Sequence, residues 1–258
     1  RMGLDEVPDL LVLGVSGTDI VGHVWGARSW EYADNLARID RALTHFAELL
    51  QKRGPVAFVL TADHGVADMP EQAKTDGGSG GRLQGETLVE AAERAADQAL
   101  GEGDWIAGYV SPLITFTEQG KSRREDLLRA LREAMPSIAG IRAVYDARQG
   151  QALRASEMEI ERLIGATLPD PPPGDLYVLP EPGWFDAIAP DGGTNHGTPW
   201  DYDRRVPVMM WGTAVERRTS DEPQNALDVA ATLCALLGIP TPEGARQTPL
   251  PGVMLLPD

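Results

Sequence analysis

The chain has 258 residues, of which 42% are hydrophobic, so it can bury a core as one large α/β domain or as a core with one insertion. Its formal net charge of −16 argues against binding to nucleic acid or anionic membranes, because both require a basic surface. With four histidines and one cysteine, any metal site must combine imidazole with carboxylate rather than thiolate.

The N-terminal segment predicts a βαβ unit. Residues 9–15 (DLLVLGV) form a short aliphatic run and indicate a core strand. From Trp30 to Lys52, apolar residues recur at spacings of three and four, which predicts an amphipathic helix. Residues 56–60 (VAFVL) predict a second buried strand, parallel to the first because crossovers are right-handed. No secretory leader pattern precedes the first strand, so the chain is expected to begin inside a fold.

Residues 75–190 are predicted to form an inserted α/β subdomain, beginning near the glycine-rich turn GGSGG. The expected elements are a helix at 86–100, a strand around 105–117, helices at about 123–135 and 157–164 that start at Ser122 and Ser156 capping boxes, and a strand in GDLYVLPEPGWF that returns to the main sheet. Residues 1–74 and 191–258 are predicted to form the core, with a strand in RVPVMMWG and a helix over 226–237. No uncharged apolar stretch reaches the roughly 18 residues of a membrane span.

Candidate metal ligands follow the two predicted strands of the βαβ unit: Asp19, His23, Asp63 and His64. Ligands collect beyond the carboxyl ends of parallel strands, so one crevice is expected to contain all four. Asp19 and His23 share one face if their segment is helical, and such a pair can bind a metal from one side. Asp63 and His64 are followed by Gly65, which frees the backbone to turn. Solvated pairs or an ordinary surface turn are the alternatives.

The third motif, GTNHGTPWDYD, places His196 between two glycines that allow the backbone to approach an ion or ligand closely. A flexible surface turn is the alternative here. Three of the four histidines therefore lie in short glycine-flanked segments with an acidic residue nearby, which favours a common metal site. His45 has no such context and is interpreted as a surface residue of the first predicted helix.

The ordered motifs DIVGH, TADHG and TNHGTPWDYD resemble those of the alkaline phosphatase superfamily. The resemblance is to bacterial phosphate-irrepressible alkaline phosphatases and to type I phosphodiesterases and nucleotide pyrophosphatases. The flanking segments EYADNLARID, GDLYVLPEPGWF and RRVPVMMWG resemble the same group. This resemblance implies a three-layer α/β/α core with a mostly parallel sheet, and a cap-like α/β subdomain inserted in it.

The resemblance also implies a site with two zinc ions. Asp19, His23 and His196 would bind the first ion, and Asp63 with His64 would bind the second. Two such ions about 4 Å apart polarise a phosphoryl oxygen, activate an attacking alkoxide and stabilise the leaving oxygen. The implied activity is zinc-dependent hydrolysis of small phosphate monoesters through a covalent phosphoenzyme, with an alkaline pH optimum and a periplasmic or secreted location.

The sequence departs from the superfamily pattern at its start. There, a further zinc-binding aspartate and a threonine or serine nucleophile come from an N-terminal part, whereas only 18 residues precede Asp19 here. The chain is therefore expected to be a C-terminal portion whose catalytic nucleophile is missing. The possible substitutes have ordinary turn or strand roles: Thr61, Thr194, Thr198, Asp191 and Asp203. Two alternatives remain open, namely a phosphodiesterase or nucleotide pyrophosphatase with the same metals, and a catalytically incomplete metal-binding fragment.

Overall fold

The structure is a computed structural model that describes residues 2–3, 5, 7–189 and 192–253. The helices are α1 (Gly17–Trp25), α2 (Trp30–Gln51), α3 (Pro70–Thr75), α4 (Gly85–Leu100), α5 (Glu118–Ser122), α6 (Arg124–Ala134), α7 (Gly150–Arg154), α8 (Glu159–Thr167), α9 (Asp201–Arg204) and α10 (Asp228–Leu237). The strands are β1 (Ala57–Leu60), β2 (Gly81–Leu83), β3 (Ile106–Val110), β4 (Leu113–Phe116), β5 (Ile141–Asp146), β6 (Leu176–Pro180), β7 (Trp184–Asp186) and β8 (Met209–Gly212). Within the described ranges, no helix combines the length and the apolar character that crossing a membrane requires.

The chain divides into two compact units. The first unit comprises Arg1–Thr18, Ala33–Gly65 and Arg205–Asp258, and the second comprises Asp19–Tyr32 and Val66–Arg204. The second unit thus includes the predicted insertion at 75–190 and also the segments that carry Asp19, His23 and His196. The proposed division into a core of 1–74 with 191–258 and an insertion stays a prediction.

The centre of the second unit is a four-stranded antiparallel sheet with the order β3-β4-β6-β5. Successive residues of β6 face opposite sides of this sheet, since Leu176 and Val178 join one buried cluster and Tyr177 and Leu179 join another. Helices α4 and α6 contribute to the first cluster, while α7 and α8 contribute to the second. A strand covered on both faces is apolar throughout, which explains the unbroken run LYVLP.

The first unit contains a two-stranded antiparallel pair, in which Ala57 of β1 lies opposite Gly212 of β8. Its helix α10 ends at Gly238, whose φ of +65° is left-handed, and the following N–H of Ile239 donates to the carbonyl of Cys234 at 3.0 Å. The helix predicted over 226–237 is therefore confirmed except for its first two residues. Helix α2 agrees with the prediction to within one residue.

The predicted strand at residues 9–15 is wrong. These residues have no strand partner in the part of the chain that the structure describes, and Leu10, Val12 and Val15 are half exposed or more. Because a strand is stable only beside another strand, an aliphatic run cannot define one without its partner. The parallel βαβ unit is consequently not formed, and β1 pairs with β8 in an antiparallel arrangement.

The α/β class is confirmed, with both parallel and antiparallel pairing. The mostly parallel sheet that the resemblance implies is not seen among the described residues, where only β2 and β7 are parallel. Residues 105–117 form the hairpin β3–β4 instead of one strand, and a short hairpin connection can only produce antiparallel neighbours. The strand in GDLYVLPEPGWF is β6, which belongs to this antiparallel sheet and not to a main parallel one.

The predicted capping boxes at Ser122 and Ser156 are also wrong. The Ser122 hydroxyl donates to the carbonyl of Gln119 at 2.7 Å, and α6 begins at Arg124 without a side-chain cap. The Ser156 hydroxyl pairs with Glu161, and Met158 occupies the N-cap position of α8. The Ser156 hydroxyl also accepts the N–H of Met158 at 3.1 Å, so it forms a local turn two residues before the N-cap position of α8.

A buried ion cluster joins α6 to the four-stranded sheet. The Arg124 guanidinium pairs with the carboxylates of Asp146, at 2.5 Å, and Asp175, and it also donates to the carbonyl of Asp175 at 3.1 Å. Asp175 in turn accepts the backbone N–H of Phe116 at 2.9 Å. Because these charges are out of water, they are stable only while each has its partner.

Replacing Arg124 by methionine should lower the free energy of unfolding by about 3–5 kcal/mol, because two buried carboxylates would lose their nearest counterion. Urea unfolding of the chain, followed by circular dichroism, measures this loss. The control is Arg129→Met on the same helix, where an exposed ion pair with Asp126 is removed and little change is expected. Equal stabilities of the two variants would contradict the assigned role of Arg124.

Candidate metal centre

Helix α1 places two of the predicted ligands on one face. Asp19 and His23 are four residues apart in this helix, and Asp19 Oδ2 lies 3.3 Å from His23 Nε2. They lie within a helix and not at the end of a strand, because residues 9–15 form none. The segment that carries Asp19 and His23 is helical, as their assignment to one face requires.

His196 comes to the same pair from a loop near the end of the second unit. Its Nε2 lies 3.5 Å from Asp19 Oδ1, so the carboxylate has one oxygen directed to each imidazole. The rings of His23 and His196 have centroids 4.9 Å apart and are tilted by 33°. Asp19, His23 and His196 bring one ligand atom each to within 4.8 Å of one another.

These separations fit one zinc ion. Tetrahedral zinc ligands at about 2.0–2.1 Å from the ion lie about 3.3 Å from each other. Asp19 Oδ2 lies 3.3 Å from His23 Nε2 and Asp19 Oδ1 lies 3.5 Å from His196 Nε2, so each separation is close to that spacing but starts from a different carboxylate oxygen. Two imidazoles and a carboxylate also leave one coordination position for water or substrate, as in catalytic zinc sites. We refer to Asp19, His23 and His196 as the triad.

The tautomer of His23 is fixed by a backbone contact. His23 Nδ1 lies 2.9 Å from the carbonyl oxygen of Thr194. A carbonyl oxygen only accepts, so Nδ1 carries the proton and Nε2 keeps the lone pair that binds a metal. The same backbone region thus positions one ligand and, two residues later, supplies another.

The loop before His196 is tied closely to α1. The N–H of Thr194 donates to the carbonyl of His23 at 2.8 Å, and its fully buried hydroxyl donates to the carbonyl of Ala67 at 2.7 Å. Gly193 has φ +79°, and a β-carbon there would lie 2.8 Å from the His23 carbonyl oxygen. Gly193 therefore allows its backbone to approach the backbone of His23. The sequence analysis had instead expected this glycine to allow the approach of an ion or ligand.

Asn195 is a site residue that the sequence analysis did not identify. Its Oδ1 accepts the N–H of His196 at 2.9 Å, while its Nδ2 donates to the carbonyl of Asp186 at 2.9 Å. Asp186 is held in place by the Tyr109 hydroxyl at 2.7 Å, and burial together with this carboxylate raises the pKa of Tyr109. An asparagine directly before a histidine in a glycine-rich turn was the available signal.

Asp63 and His64 belong to the first unit, where they follow β1 by a few residues. His64 Nδ1 lies 2.9 Å from the carbonyl of Gly65, so Nε2 is the nitrogen with a lone pair. This Nε2 is 3.7 Å from Asp63 Oδ2, and the Asp63 side chain is 88% exposed. His64 Nε2 and the Asp63 carboxylate could each serve as a ligand atom for a metal ion. Its zinc-binding role stays a prediction.

The other residues that were considered have different roles. The Thr198 hydroxyl donates to Asp203 at 2.6 Å, in the turn that precedes α9. Thr61 is exposed, and its hydroxyl donates to the carbonyl of Ala62 at 3.4 Å; Asp191 lies outside the described residues. His45 is exposed on α2, as predicted.

Comparison with known proteins identifies relatives of the chain. The profile of the family described as type I phosphodiesterase / nucleotide pyrophosphatase matches residues 2–199. Alkaline phosphatase PhoD of Zymomonas mobilis is 29% identical over 95% of this chain and 45% of its own length. A calcium-transporting ATPase of Myroides odoratus is 23% identical over 95% of this chain and 46% of its own length.

A solved structure has the same fold. The crystal structure of the alkaline phosphatase PafA superposes with a TM-score of 0.83 at 24% identity, covering 98% of this chain and 49% of that chain. At this level of identity the likeness establishes the fold alone. The chain spans about half the length of the relatives that it matches.

The purified chain should bind Co²⁺, a spectroscopic substitute for zinc, at the triad. Replacing His23 by alanine removes one of three ligands and should weaken binding more than about 100-fold, beyond the usual effect of an outer-shell change. Titration followed by the visible absorption of Co²⁺ measures this. His45→Ala, on exposed α2, is the matched control and should bind as the parent does; a His23→Ala chain that titrates identically would refute the site.

Proposed function

We propose that this chain, which belongs to the type I phosphodiesterase / nucleotide pyrophosphatase family, contributes to zinc-dependent hydrolysis of phosphate monoesters through a covalent phosphoenzyme. The observation that carries the proposal is the convergence of Asp19, His23 and His196, which bring one ligand atom each to within 4.8 Å of one another and form the donor set of a catalytic zinc site. The names of the alkaline phosphatase relatives support the substrate class.

In this proposal the triad holds one zinc ion, and Asp63 with His64 holds a second. Bound zinc would supply Lewis acidity to a phosphoryl oxygen and to the attacking and leaving oxygens. The residues of the chain prepare this chemistry. The Thr194 carbonyl keeps the proton on His23 Nδ1, and Asp19 directs one oxygen toward each histidine.

The proposal also accounts for how an acidic chain can attract an anionic substrate. The net charge is −16, which repels phosphate at long range. Asp19 and Asp63 offset only part of the positive charge of two divalent ions, so a local excess of positive charge remains for a phosphate dianion. Zinc loading is therefore required for substrate binding and not only for the chemical step.

We further propose that the hydroxyl nucleophile and the remaining ligand of the second ion come from a segment beyond these 258 residues. The match to only 45% of the PhoD relative supports this proposal. The local hydroxyls also have structural partners, since Thr194 donates to Ala67 and Thr198 donates to Asp203. An alkaline pH optimum and a periplasmic or secreted location stay predictions.

The second candidate is hydrolysis of phosphodiesters or nucleotide pyrophosphates, which the description of the matched family favours. The same metal ligands serve both reactions, so the triad does not distinguish them. The ratio of kcat/KM for p-nitrophenyl phosphate to that for bis-p-nitrophenyl phosphate separates the two. A catalytically incomplete metal-binding fragment is the third outcome, with zinc binding but no turnover in any form of the protein.

The full product of the gene that encodes this chain should hydrolyse p-nitrophenyl phosphate at alkaline pH, lose activity in chelator and regain it with zinc. Asp19→Asn should lower kcat/KM by about a thousandfold or more, because the three residues of the triad act together and the loss of one ligand impairs the whole metal site. Asp40→Asn, an exposed carboxylate on α2, is the control that should leave activity unchanged. Full activity of Asp19→Asn would exclude the proposed zinc role.

The 258-residue chain alone should be almost inactive in the same assay, several powers of ten below the full product. Robust zinc-dependent turnover by the chain alone would show that its nucleophile lies within these residues. Alanine substitution of Thr61 and Thr198 would then identify the source.

A further inference from the structure

We propose that Arg82 is a positioning residue that holds the loop carrying His196 in the conformation needed to complete the triad. Arg82 acts through the backbone of Gly193, three residues before His196. The inference rests on the proposed metal site and adds to it a residue outside the ligand motifs.

The contact is a double hydrogen bond to one carbonyl. Arg82 Nε and Nη2 donate to the carbonyl oxygen of Gly193 at 2.9 and 2.8 Å. The Arg82 side chain is only 12% exposed, so these bonds are formed largely out of water and are stronger than surface bonds would be. Strand β2 fixes the origin of the side chain, because Arg82 lies opposite Phe185 in the β2–β7 pair.

A second edge of the guanidinium, formed by Nη1 and Nη2, is held by Glu71 on α3. Arg82 Nη1 and Nη2 donate to the two Glu71 carboxylate oxygens at 2.6 and 3.0 Å, which is a bidentate pair. The hydrogen bond from Arg82 is the main cause that lowers the pKa of Glu71 to about 2. The carboxylate therefore remains ionised at any working pH and keeps the guanidinium oriented toward Gly193.

The bonds account for most of the donors of Arg82. A guanidinium has five N–H donors, and the four bonds to Gly193 and Glu71 use four of them. An arginine that bound a substrate phosphate would need its fork of donors for that anion. Arg82 is thus engaged in holding the protein backbone.

A continuous path leads from Arg82 to the triad. The residue after Gly193 is Thr194, whose N–H donates to the His23 carbonyl and whose own carbonyl accepts His23 Nδ1. A shift of Gly193 would therefore disturb the orientation of His23 as well as the position of His196. Lysine cannot replace this function, because an ammonium is a point charge without a planar fork.

The test uses Arg82→Met, Arg82→Lys and Glu71→Gln in the 258-residue chain, with Arg94→Met as the matched control. Arg94 is exposed on α4 and pairs there with Glu90. Two quantities are measured: hydrogen–deuterium exchange of a peptide covering residues 192–199 in metal-free protein, by mass spectrometry, and zinc affinity by calorimetry. Circular dichroism establishes that each variant is folded.

Arg82→Met should speed exchange of the loop amides about tenfold and weaken zinc binding by about 10- to 100-fold, as outer-shell changes do. Arg82→Lys should recover little of either loss, and Glu71→Gln should give a smaller loss of the same kind. Exchange and zinc affinity equal to those of Arg94→Met would overturn the proposal. If Arg82→Met does not fold, Glu71→Gln and Arg82→Lys decide by the same two measurements.

The two hypotheses can fail separately. A parent chain that binds no zinc would refute the proposed metal site, while the exchange measurement would still decide whether Arg82 holds the loop. Zinc binding by the parent chain with an unchanged Arg82→Met would refute only the role of Arg82.

Discussion

The candidate site depends on a pair of hydrogen bonds between α1 and the loop before His196. Thr194 donates its N–H to the His23 carbonyl and accepts Nδ1–H of the His23 ring with its own carbonyl. These two bonds determine at once where the loop lies and which nitrogen of His23 has a lone pair. Because both use backbone groups of Thr194, another side chain at 194 could keep them, but the buried hydroxyl bond to Ala67 requires a hydroxyl. The site is thus assembled mainly by backbone geometry.

The side chains that hold this loop are mostly charged or amide groups, and there is a physical reason for this. A loop has no ladder of backbone bonds, so its carbonyls must find donors elsewhere. Arg82 satisfies Gly193, and Asn195 satisfies both His196 and Asp186. Arg82, which holds the Gly193 carbonyl, is itself paired with Glu71. The positions of His23 and His196 are therefore set largely by hydrogen bonds of a few polar groups.

The sequence predicted the helical periodicity of α2 well, but it predicted neither the distant strand pairings nor the local starts of α6 and α8. Helix α2 was predicted to within one residue because the spacing of its apolar residues is a local signal. The run at 9–15 failed because aliphatic composition does not state which strand is the neighbour. The ligand motifs were recognised from short segments, yet Arg82 was not, since its partner Gly193 is 111 positions away and a lone arginine in a strand carries no motif. Asn195 lies within a recognised motif, but its role could not be predicted because it depends on where the Asp186 carbonyl lies in the fold.

The long separation between the ligands links the site to the stability of the whole second unit. His23 contacts a residue 171 positions later, and the chain between them folds into the four-stranded sheet and its two buried clusters. Closing such a loop costs conformational entropy that increases only slowly with its length. Folding of the sheet offsets this cost without a bound metal ion. The unfolded chain cannot offer Asp19, His23 and His196 together, so an ion bound by all three adds its binding free energy to the folded state. Conversely, a defect in the core lowers the fraction of chains in which the triad is assembled. Loss of the ion pair between Arg124 and Asp175, the residue that accepts the Phe116 N–H, would be such a defect.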